Sequence, residues 1–479
     1  MDSYRMYVDG AWVDAADGRS FTSNDPWTLQ DWAEIPEGDE RDVDRAVSAA
    51  GRAFEESWWR HDARRRGAVL RRFADLVETS AERIAEVESR DNGKALTEER
   101  AACAAIPAYF RHAPALAESY PDSAPRGGDP NVRAVTHRVP YGVIGIQTPW
   151  NTPGQLLSQS AAPALAAGNT IVVKPSEVAP CSTLELARLV EEAGFPAGVV
   201  NVVTGFGQVV GAALCAHPRV AKLAFTGSTQ GGVLVAEHAA RRLVPVVMEL
   251  GGKSANIVFT DCDLDRTVDA LVRGFTVASG QTCMAGSRVL VERPIHDLVL
   301  DRMLDAAAKV RIGDPRDPAT AMGPIATEAQ LAKIRQFVAI GVEEGGRVRC
   351  GGGPPEGAEH PRFFAPTVFT DVTNDMTICQ EEIFGPVCAV MPFDTEEAAV
   401  RIANDTRYGL SGAVWTSDLA RAHRVTDAIR AGVVWVNDQR AGDPAFATGG
   451  TAMSGYGRLS GVEGHHEMTQ VKSVQMRIA

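Results

Sequence analysis

Two neighbouring stretches decide the fold, "YGVIGIQTPWN" at residues 141–151 and "TIVVKPSE" at residues 170–177. Each is a short apolar run that ends in polar residues and proline, and the gap between them leaves room for a helix. Strands that alternate with helices predict a parallel sheet with crossover helices. Further strands of this series are expected at 199–203, 222–225 and 245–249, and a second series at 255–259, 289–291, 387–391 and 432–436. The predicted fold class is therefore α/β, with a second α/β domain after the first.

Length and charge limit the possible functions. The chain has 479 residues, more than one core usually supports, so two or three domains are expected. Its net charge of −13 opposes binding to nucleic acid or an anionic membrane, since both need a basic face. The basic run at residues 64–66 lies among acidic residues and is interpreted as a solvated helix face. We expect neither a nucleic-acid partner nor a membrane.

Targeting and metal-binding signals are also missing from the sequence. The first residues, "MDSYRMYVDGAWVDA", have neither the basic segment nor the apolar segment of a signal peptide, and no run of 18 apolar residues occurs. A cytoplasmic location is expected. Eight cysteines are spread without a C-x-x-C pair or a histidine cluster, so neither a disulfide framework nor a metal site is predicted.

The first 140 residues do not show this alternation of strands and helices. Asp9-Gly10 between two apolar bursts predicts a hairpin, and apolar residues at helical spacing follow from residue 43 to residue 84. Residues 120–132 are rich in proline and glycine and are interpreted as a loop, and residues 133–139 as an exposed strand.

Two polar stretches suit a nucleotide, although the usual G-x-G-x-x-G fingerprint is missing. In "KLAFTGST", residues 222–229, backbone amides and the Ser228 hydroxyl at a helix amino terminus suit a pyrophosphate, while a simple turn and cap is the alternative. Lys174 and Glu177 leave the carboxyl edge of the expected sheet, where ligands bind in such folds. The Glu177 carboxylate suits a ribose diol and repels a 2′-phosphate; a plain surface ion pair is the alternative.

Three further residues have possible catalytic chemistry. Glu249 ends an apolar strand beside glycines, and a carboxylate among apolar neighbours can act as a base near neutral pH. Asn151 offers an amide that can stabilise an oxyanion. Cys283, in "GQTCMAG", is either a packed core residue or a nucleophile, and its own segment leaves both possibilities open.

Taken together, these segments resemble the aldehyde dehydrogenase superfamily over essentially the whole chain. The matching motifs are "TPWN", "KPSE", "FTGS", "ELGGK", "GQTC" and "EEIFGP", in the order and at the approximate spacing of that family. Each motif is common by itself, whereas six in this order are specific. The resemblance implies an NAD-dependent enzyme that oxidises a small-molecule aldehyde.

The resemblance also implies a role for each site residue. Cys283 would be the catalytic thiol, Asn151 and the Cys283 N–H would hold the oxyanion, and Glu249 would activate the water that hydrolyses a thioester. Lys174 and Glu177 would contact the adenine ribose of NAD, and Glu382 the nicotinamide ribose. The remaining cofactor-binding residues would be Trp150, Thr226, Gly227, Ser228 and Phe384.

The implied architecture is a doubly wound NAD-binding domain from residues 1–120 and 141–250, and a catalytic α/β domain at 251–450. Residues 121–140 and 467–479 would form a small β oligomerisation flap with a terminal strand that joins a neighbour's sheet. Because such a flap leaves unpaired strand edges, a homodimer or homotetramer is expected.

Departures from the family pattern concern the substrate. Thr152 and Thr448 stand where pocket phenylalanines are common, and Leu459 stands where a glutamate often follows Gly-Arg. Gln155 and the cation of Arg440 add polar groups, although Arg440 is equally compatible with a local ion pair. We expect a small polar aldehyde, most simply a semialdehyde. The alternatives are an NADP-preferring or CoA-acylating relative, or a family scaffold without catalysis.

Overall fold

The structure is a computed structural model that describes residues 1–125, 127–439 and 442–478. Its first large sheet has seven strands. The spatial order is Val246–Glu249, Val220–Thr226, Val143–Gln147, Thr170–Lys174, Val200–Val202, Met6–Val8 and Ala11–Val13. The first five strands run parallel, and the predicted hairpin at Asp9-Gly10 joins the antiparallel edge.

The second large sheet also has seven strands. Their order is Arg347–Cys350, Thr367–Thr370, Val387–Phe393, Arg288–Glu292, Ala255–Val258, Ser411–Trp415 and Val433–Val436. All neighbouring strands are parallel except the first pair. The sequence predicted four of these strands and missed those at 347–350, 367–370 and 411–415.

The remaining strands of the described ranges form three small sheets. One contains Asp2–Ser3, Asp31–Pro36 and Ser20–Asn24, and another pairs Tyr408–Gly409 with Thr451–Ala452. In the third, Val132–Pro140 pairs antiparallel with Thr469–Arg477. The terminal strand, which was expected to join a neighbour's sheet, therefore pairs with the flap strand of its own chain.

Helices cover the sheets. Those before residue 250 are Glu40–Glu56, Ala63–Asn92, Leu96–Ser119, Pro153–Ala166, Cys181–Ala187, Val190–Ala193, Ala212–Ala216 and Thr229–Ala240. Those after it are Leu264–Thr276, His296–Ala307, Glu328–Glu343, Thr377–Gln380, Glu396–Asn404, Leu419–Ala428 and Gly461–Glu467. Short 3₁₀ turns lie at Trp58–Arg60, Val277–Gly280 and Arg293–Ile295, and a π-turn at Gly207–Gly211. None of the helices within the described ranges is long and apolar enough to span a membrane.

The long helix Ala63–Asn92 and the helix Leu96–Ser119 form an antiparallel pair that matters for the site. Asp62 caps the first helix by accepting the Arg65 N–H at 2.9 Å. Gly93 ends it with φ of 78°, a left-handed conformation that glycine adopts readily. The chain then turns at once into the second helix, so the end of one and the start of the other lie side by side. Both helices pack against Pro153–Ala166, the helix that follows Asn151.

Each large sheet has one buried hydrophobic layer on each of its two faces, and these layers form the cores.

One correction concerns the basic run at residues 64–66. Arg66 is buried, and its guanidinium donates to the carbonyl oxygens of Trp59 at 2.6 Å and Ala166 at 3.2 Å. Because backbone carbonyls take up its donors inside the protein, the interpretation of this run as a solvated face is wrong for Arg66. The domain boundaries given above stay a prediction.

Candidate active site

A cleft of about 380 Å³ opens at the carboxyl edge of the first large sheet. The strands end in register there, so that Gln147 lies opposite Lys174 and Thr226 opposite Glu249. Loops from the second half of the chain close the other side. The structure brings every residue predicted to act in catalysis or cofactor binding to this cleft: Trp150, Asn151, Lys174, Glu177, Thr226, Gly227, Ser228, Glu249, Cys283, Glu382 and Phe384.

Cys283 follows a tightly wound turn. Ala278, Ser279 and Gly280 have φ values of 55°, 54° and 72°, a run of left-handed conformations that is costly for the two non-glycine residues. A Cβ at Gly280 would overlap the backbone of Gly385, so glycine is required there. A Cβ at Gly252 would lie 2.6 Å from the Cys283 carbonyl oxygen. The cysteine is thus half-buried at a position fixed by close backbone packing.

The Asn151 side chain is buried and faces the cysteine loop. Its Nδ2 donates to the Gln281 carbonyl oxygen at 3.0 Å, two residues before Cys283. An amide nitrogen carries two hydrogens, so this bond orients the group and leaves a second N–H for another acceptor. Asn151 can therefore hold an oxyanion beside the cysteine.

Glu249 is the buried carboxyl of the cleft. Burial raises its pKa to about 8, against the opposing charge of Arg458. Its Oε1 has no hydrogen-bond partner within the described part of the chain. A Cβ at Gly449 would lie 2.8 Å from that oxygen, so the glycine leaves space beside it. A carboxyl with this pKa can accept a proton near neutral pH.

The turn before the helix Thr229–Ala240 supplies amides to the cleft. Ser228 is the helix N-cap, and its Oγ accepts the Gly231 N–H at 3.1 Å. The Gly227 N–H donates to the Glu249 carbonyl oxygen at 3.1 Å, which ties this turn to the neighbouring strand end. Because the amino terminus of a helix carries partial positive charge, this turn fits a pyrophosphate.

Lys174 and Glu177 form an ion pair with Nζ 2.6 Å from Oε2. Lys174 is buried, and burial lowers its pKa although Glu177 opposes the shift. Burial works against the charge of Glu177 too, but the ammonium outweighs it and lowers the pKa of that carboxyl. The ion pair thus favours the charged form of Glu177, whose carboxylate is partly exposed to the cleft.

Glu382 and Phe384 enter from the opposite side. The Glu382 carboxylate accepts the Gly252 N–H at 3.2 Å, and burial raises its pKa to about 6. The Phe384 ring stacks edge-on against Trp150 with ring centroids 5.3 Å apart. Gln330 donates to the carbonyl oxygens of residues 383 and 384 at 3.0 and 2.9 Å and so fixes this loop.

Comparisons with known proteins agree with this geometry. The sequence model of the Aldehyde dehydrogenase family matches residues 12–474. The chain belongs to the aldehyde dehydrogenase family. It is 41% identical over 481 residues to (Z)-2-((N-methylformamido)methylene)-5-hydroxybutyrolactone dehydrogenase of Acinetobacter baylyi, covering 100% of this chain and 98% of the relative. It is 39% identical to betaine aldehyde dehydrogenase of Bacillus subtilis, covering 98% and 97%.

Solved structures show the same fold. A point mutant of betaine aldehyde dehydrogenase from Staphylococcus aureus, in complex with NAD⁺, superposes with a TM-score of 0.98 at 36% identity and covers 100% of this chain and 98% of its own. An NAD-dependent aldehyde dehydrogenase from Sinorhizobium meliloti gives 0.98 at 37% identity, covering 100% and 95%. The predicted family and the predicted α/β fold are confirmed.

The predicted substrate residues of this aldehyde dehydrogenase are more scattered. Thr152 and Gln155 line a second cleft of about 560 Å³. The Thr152 hydroxyl donates to the Asn151 carbonyl oxygen at 2.7 Å and accepts from Lys94 Nζ at 3.2 Å, so its single hydrogen is already in use. Thr448 is held by two backbone hydrogen bonds of 2.7 Å to Leu459. Arg440 lies outside the described residues.

Several cleft residues were missed by sequence reasoning. Gln147 donates to the Gly211 carbonyl oxygen at 3.3 Å and contacts Cys215, and Gln330 holds the Phe384 loop. Lys333 lines the cleft near Glu382. The position of Gln147 at a strand end was a usable signal, since its neighbours there were singled out for that reason. Gln330 and Lys333 lie on an ordinary amphipathic helix, whose sequence gives no such signal.

Proposed function

We propose that this protein oxidises a small polar aldehyde to the carboxylic acid with NAD, through a covalent adduct on Cys283 and hydrolysis by a water that Glu249 activates. The observation that carries the proposal is the convergence of Cys283, Asn151 and Glu249 in one cleft with the groups suited to a dinucleotide. A thiol, an amide donor and a high-pKa carboxyl are the three functions that such a reaction needs.

The cleft fits the cofactor. Ser228 and Gly227 at a helix amino terminus would hold the pyrophosphate, with Thr226 beside them, and the Lys174–Glu177 pair would meet the adenine ribose. Glu382 would contact the nicotinamide ribose, with Trp150 and Phe384 packed around it. When bound, NAD⁺ supplies the acceptor for the hydride that leaves the aldehyde carbon. The family and the NAD⁺ held by solved relatives confirm the predicted enzyme class and cofactor.

Cys283 begins the reaction as a thiolate that bonds to the aldehyde carbon, and the aldehyde oxygen becomes an oxyanion. The second N–H of Asn151 and the backbone N–H of Cys283 stabilise that charge. Loss of hydride leaves a thioester. Glu249 then takes a proton from water as the water oxygen attacks the thioester carbon, Cys283 leaves as thiolate, and the carboxylic acid departs.

The alternatives are less well supported. A CoA-acylating enzyme has no need of a buried base beside its thioester, and the buried carboxyl of Glu249 in the same cleft as Cys283 argues against that activity. An NADP-preferring enzyme would place a phosphate against the Glu177 charge. A scaffold without catalysis has no physical need of Cys283, Glu249 and Asn151 together.

The second cleft supports a polar substrate. Besides Thr152 and Gln155, its lining includes the charged side chains of Arg266, Asp269, Arg273 and Asp438. Such a lining is poor for an aromatic or long-chain aldehyde. The assignment of a carboxylate contact to Arg440 rests on its guanidinium fork and on its place in the sequence.

A homodimer or homotetramer remains part of the proposal, as does a cytoplasmic location. The helix Thr229–Ala240 and the turn after it expose apolar side chains at Val233, Leu234 and Leu243, and the strand Thr469–Arg477 exposes Val471 and Met476. Exposed apolar groups on a helix and a strand edge are typical of surfaces that pair with a second copy.

Replacement of the nucleophile gives the first prediction. Cys283→Ala should abolish aldehyde-dependent NADH formation while NAD⁺ binding and the melting temperature stay near wild type, because the thiol forms the covalent bond and is only half-buried. Activity is followed at the absorbance of reduced cofactor, and binding by calorimetry. Turnover above about 1% of wild type would contradict the assignment.

The second prediction concerns the pH dependence of turnover and the role of Glu249. Because its pKa is raised to about 8, the basic form increases as pH rises through that value, so steady-state turnover should be half-maximal near pH 8 and level off about one pH unit higher. Glu249→Gln should remove this limb and leave a burst of NADH followed by slow turnover. Rapid-mixing measurements from pH 6 to pH 10 separate the two phases. An equal loss of burst and steady state would place Glu249 before hydride transfer.

Cofactor preference gives the third prediction. Wild type should favour NAD over NADP, and Glu177→Ser should reduce this preference by roughly 5- to 150-fold, as loss of about 1–3 kcal/mol of repulsion implies. The ratio of kcat/KM values for the two cofactors is the measurement. Glu177→Gln is the matched control, because it keeps the size and removes the charge. A wild-type preference for NADP would contradict the role of Glu177.

Substrate class gives the fourth prediction. Short semialdehydes with a carboxylate or amide should have a higher kcat/KM than benzaldehyde or hexanal, and Arg440→Ala should lower it on acidic substrates alone, by about tenfold. A neutral polar aldehyde serves as the internal control. If benzaldehyde is the best substrate, or if the variant keeps its efficiency on acidic aldehydes, this interpretation of the pocket is wrong.

A further inference from the structure

A buried cluster of charged and amide side chains lies behind the Asn151 loop, where the helix Ala63–Asn92 turns into the helix Leu96–Ser119. We define this buried cluster as Glu88, Asn92, Lys94 and Glu99, each of which is at most 4% exposed. Lys94 Nζ lies 3.0 Å from Glu99 Oε1, and Asn92 Nδ2 donates to the same oxygen at 2.7 Å. Burial opposes the charge of Lys94, but Glu99, Glu98 and Glu88 outweigh it and raise its pKa.

Three bonds from this buried cluster reach the loop that carries Asn151. Asn92 Nδ2 donates to the Trp150 carbonyl oxygen at 3.4 Å, a long bond. Lys94 Nζ donates to Thr152 Oγ1 at 3.2 Å, and Thr152 Oγ1 donates in turn to the Asn151 carbonyl oxygen. Glu88 Oε2 accepts the Gly154 N–H at 3.2 Å. The residues on both sides of Asn151 are therefore tied to one buried anchor.

The same helix junction also holds the cysteine loop. Glu98 Oε2, adjacent to Glu99, accepts the Ala278 N–H at 2.9 Å. Ala278 is the first of the three left-handed residues before Cys283. A strained backbone persists where its surroundings fix it, and this bond is one such constraint. The bond from Asn151 to the Gln281 carbonyl oxygen then joins the two loops.

Ion pairs this deeply buried contribute little net stability, because desolvation offsets their attraction. A role in geometry explains their presence better. We infer that Lys94, with Glu99 behind it, and Glu98 are positioning residues: they set the distance between the Asn151 amide and Cys283 without touching the reacting atoms. This inference rests on the proposed function, since it assigns these residues to the oxyanion step of that reaction.

The test is a double-mutant cycle. Lys94→Met should lower kcat/KM for the aldehyde by on the order of 10- to 100-fold, with the Kd of NAD⁺ unchanged within about twofold, because misplacement of one catalytic group has effects of this size. If Lys94 acts through Asn151, the same substitution in an Asn151→Ala background should cost less than about threefold. Equal costs in the two backgrounds would overturn the inference.

Lys222 provides a matched control. Its ammonium is as deeply buried, lies 2.9 Å from Glu467 Oε2 and contacts the Tyr141 ring; within the described residues no hydrogen bond joins it to either loop. Lys222→Met should lower the melting temperature and leave kcat/KM within about twofold of wild type. Because Lys94→Met leaves Glu99 unpaired, the variant Lys94→Met/Glu99→Gln removes both charges together. It should fold and show the same loss of kcat/KM; a folded variant with wild-type efficiency would overturn the inference.

Glu98 is tested by a conservative replacement. Glu98→Gln keeps an oxygen acceptor for the Ala278 N–H and should retain most of the kcat/KM for the aldehyde. Glu98→Ala removes the acceptor and should lower kcat/KM about tenfold. Equal activity of the two variants would contradict a positioning role for this bond.

A readout independent of aldehyde chemistry separates this inference from the proposed function. Hydrogen exchange of the peptides covering residues 148–156 and 277–284 should quicken in Lys94→Met and Glu98→Ala, respectively, and not in Lys222→Met. If wild type oxidises no aldehyde, the proposed function fails while these exchange rates still decide whether the loops are held as inferred. Unchanged exchange in both variants would overturn the inference.

Discussion

The register of four parallel strands is the constraint on which the site depends. Val143–Gln147, Thr170–Lys174, Val220–Thr226 and Val246–Glu249 end at one level because their backbone hydrogen bonds leave no freedom to slip. A shift of one residue in any of them would turn its last side chain to the opposite face of the sheet. Glu249 would then leave the cleft for the core. A slip would also disturb the apolar packing on both faces of these strands, so the strand hydrogen bonds and the core together determine where the Glu249 carboxyl stands.

Burial affects the carboxyls of the cleft according to their partners. Glu249 has the opposing charge of Arg458, but burial outweighs it and the pKa of Glu249 rises to about 8. Glu177 has Lys174 within 2.6 Å, and its pKa falls. One cleft thus holds a carboxyl able to exchange protons near neutral pH and a carboxylate that stays charged. The first suits a base and the second suits the recognition of hydroxyl groups.

The pattern of apolar and polar residues along the chain predicted the strands whose sequence is mostly apolar. The strands of the first sheet and their polar ends were found because each is a short, mostly apolar run. The strand Ser411–Trp415 was missed because serine and glycine begin it, and Arg347–Cys350 because it alternates charged and apolar residues at a sheet edge. Contacts between residues far apart in the sequence could not be predicted from these patterns. The hydrogen bond from Lys94 to Thr152 joins positions 58 residues apart, and neither segment has a sequence property that predicts it.

The departure at Leu459 now has a physical account. Its side chain is buried in the core beside the first sheet, and its backbone pairs with Thr448, next to the glycine that makes room for Glu249. The residue before Leu459, Arg458, donates from its guanidinium to the carbonyl oxygens of Gly450 and Gly457. Its charge lowers the pKa of Glu249, but desolvation is the larger effect and raises that pKa. The pKa of the Glu249 carboxyl is therefore set chiefly by how deeply the end of its strand is buried, and so by the packing of the sheet.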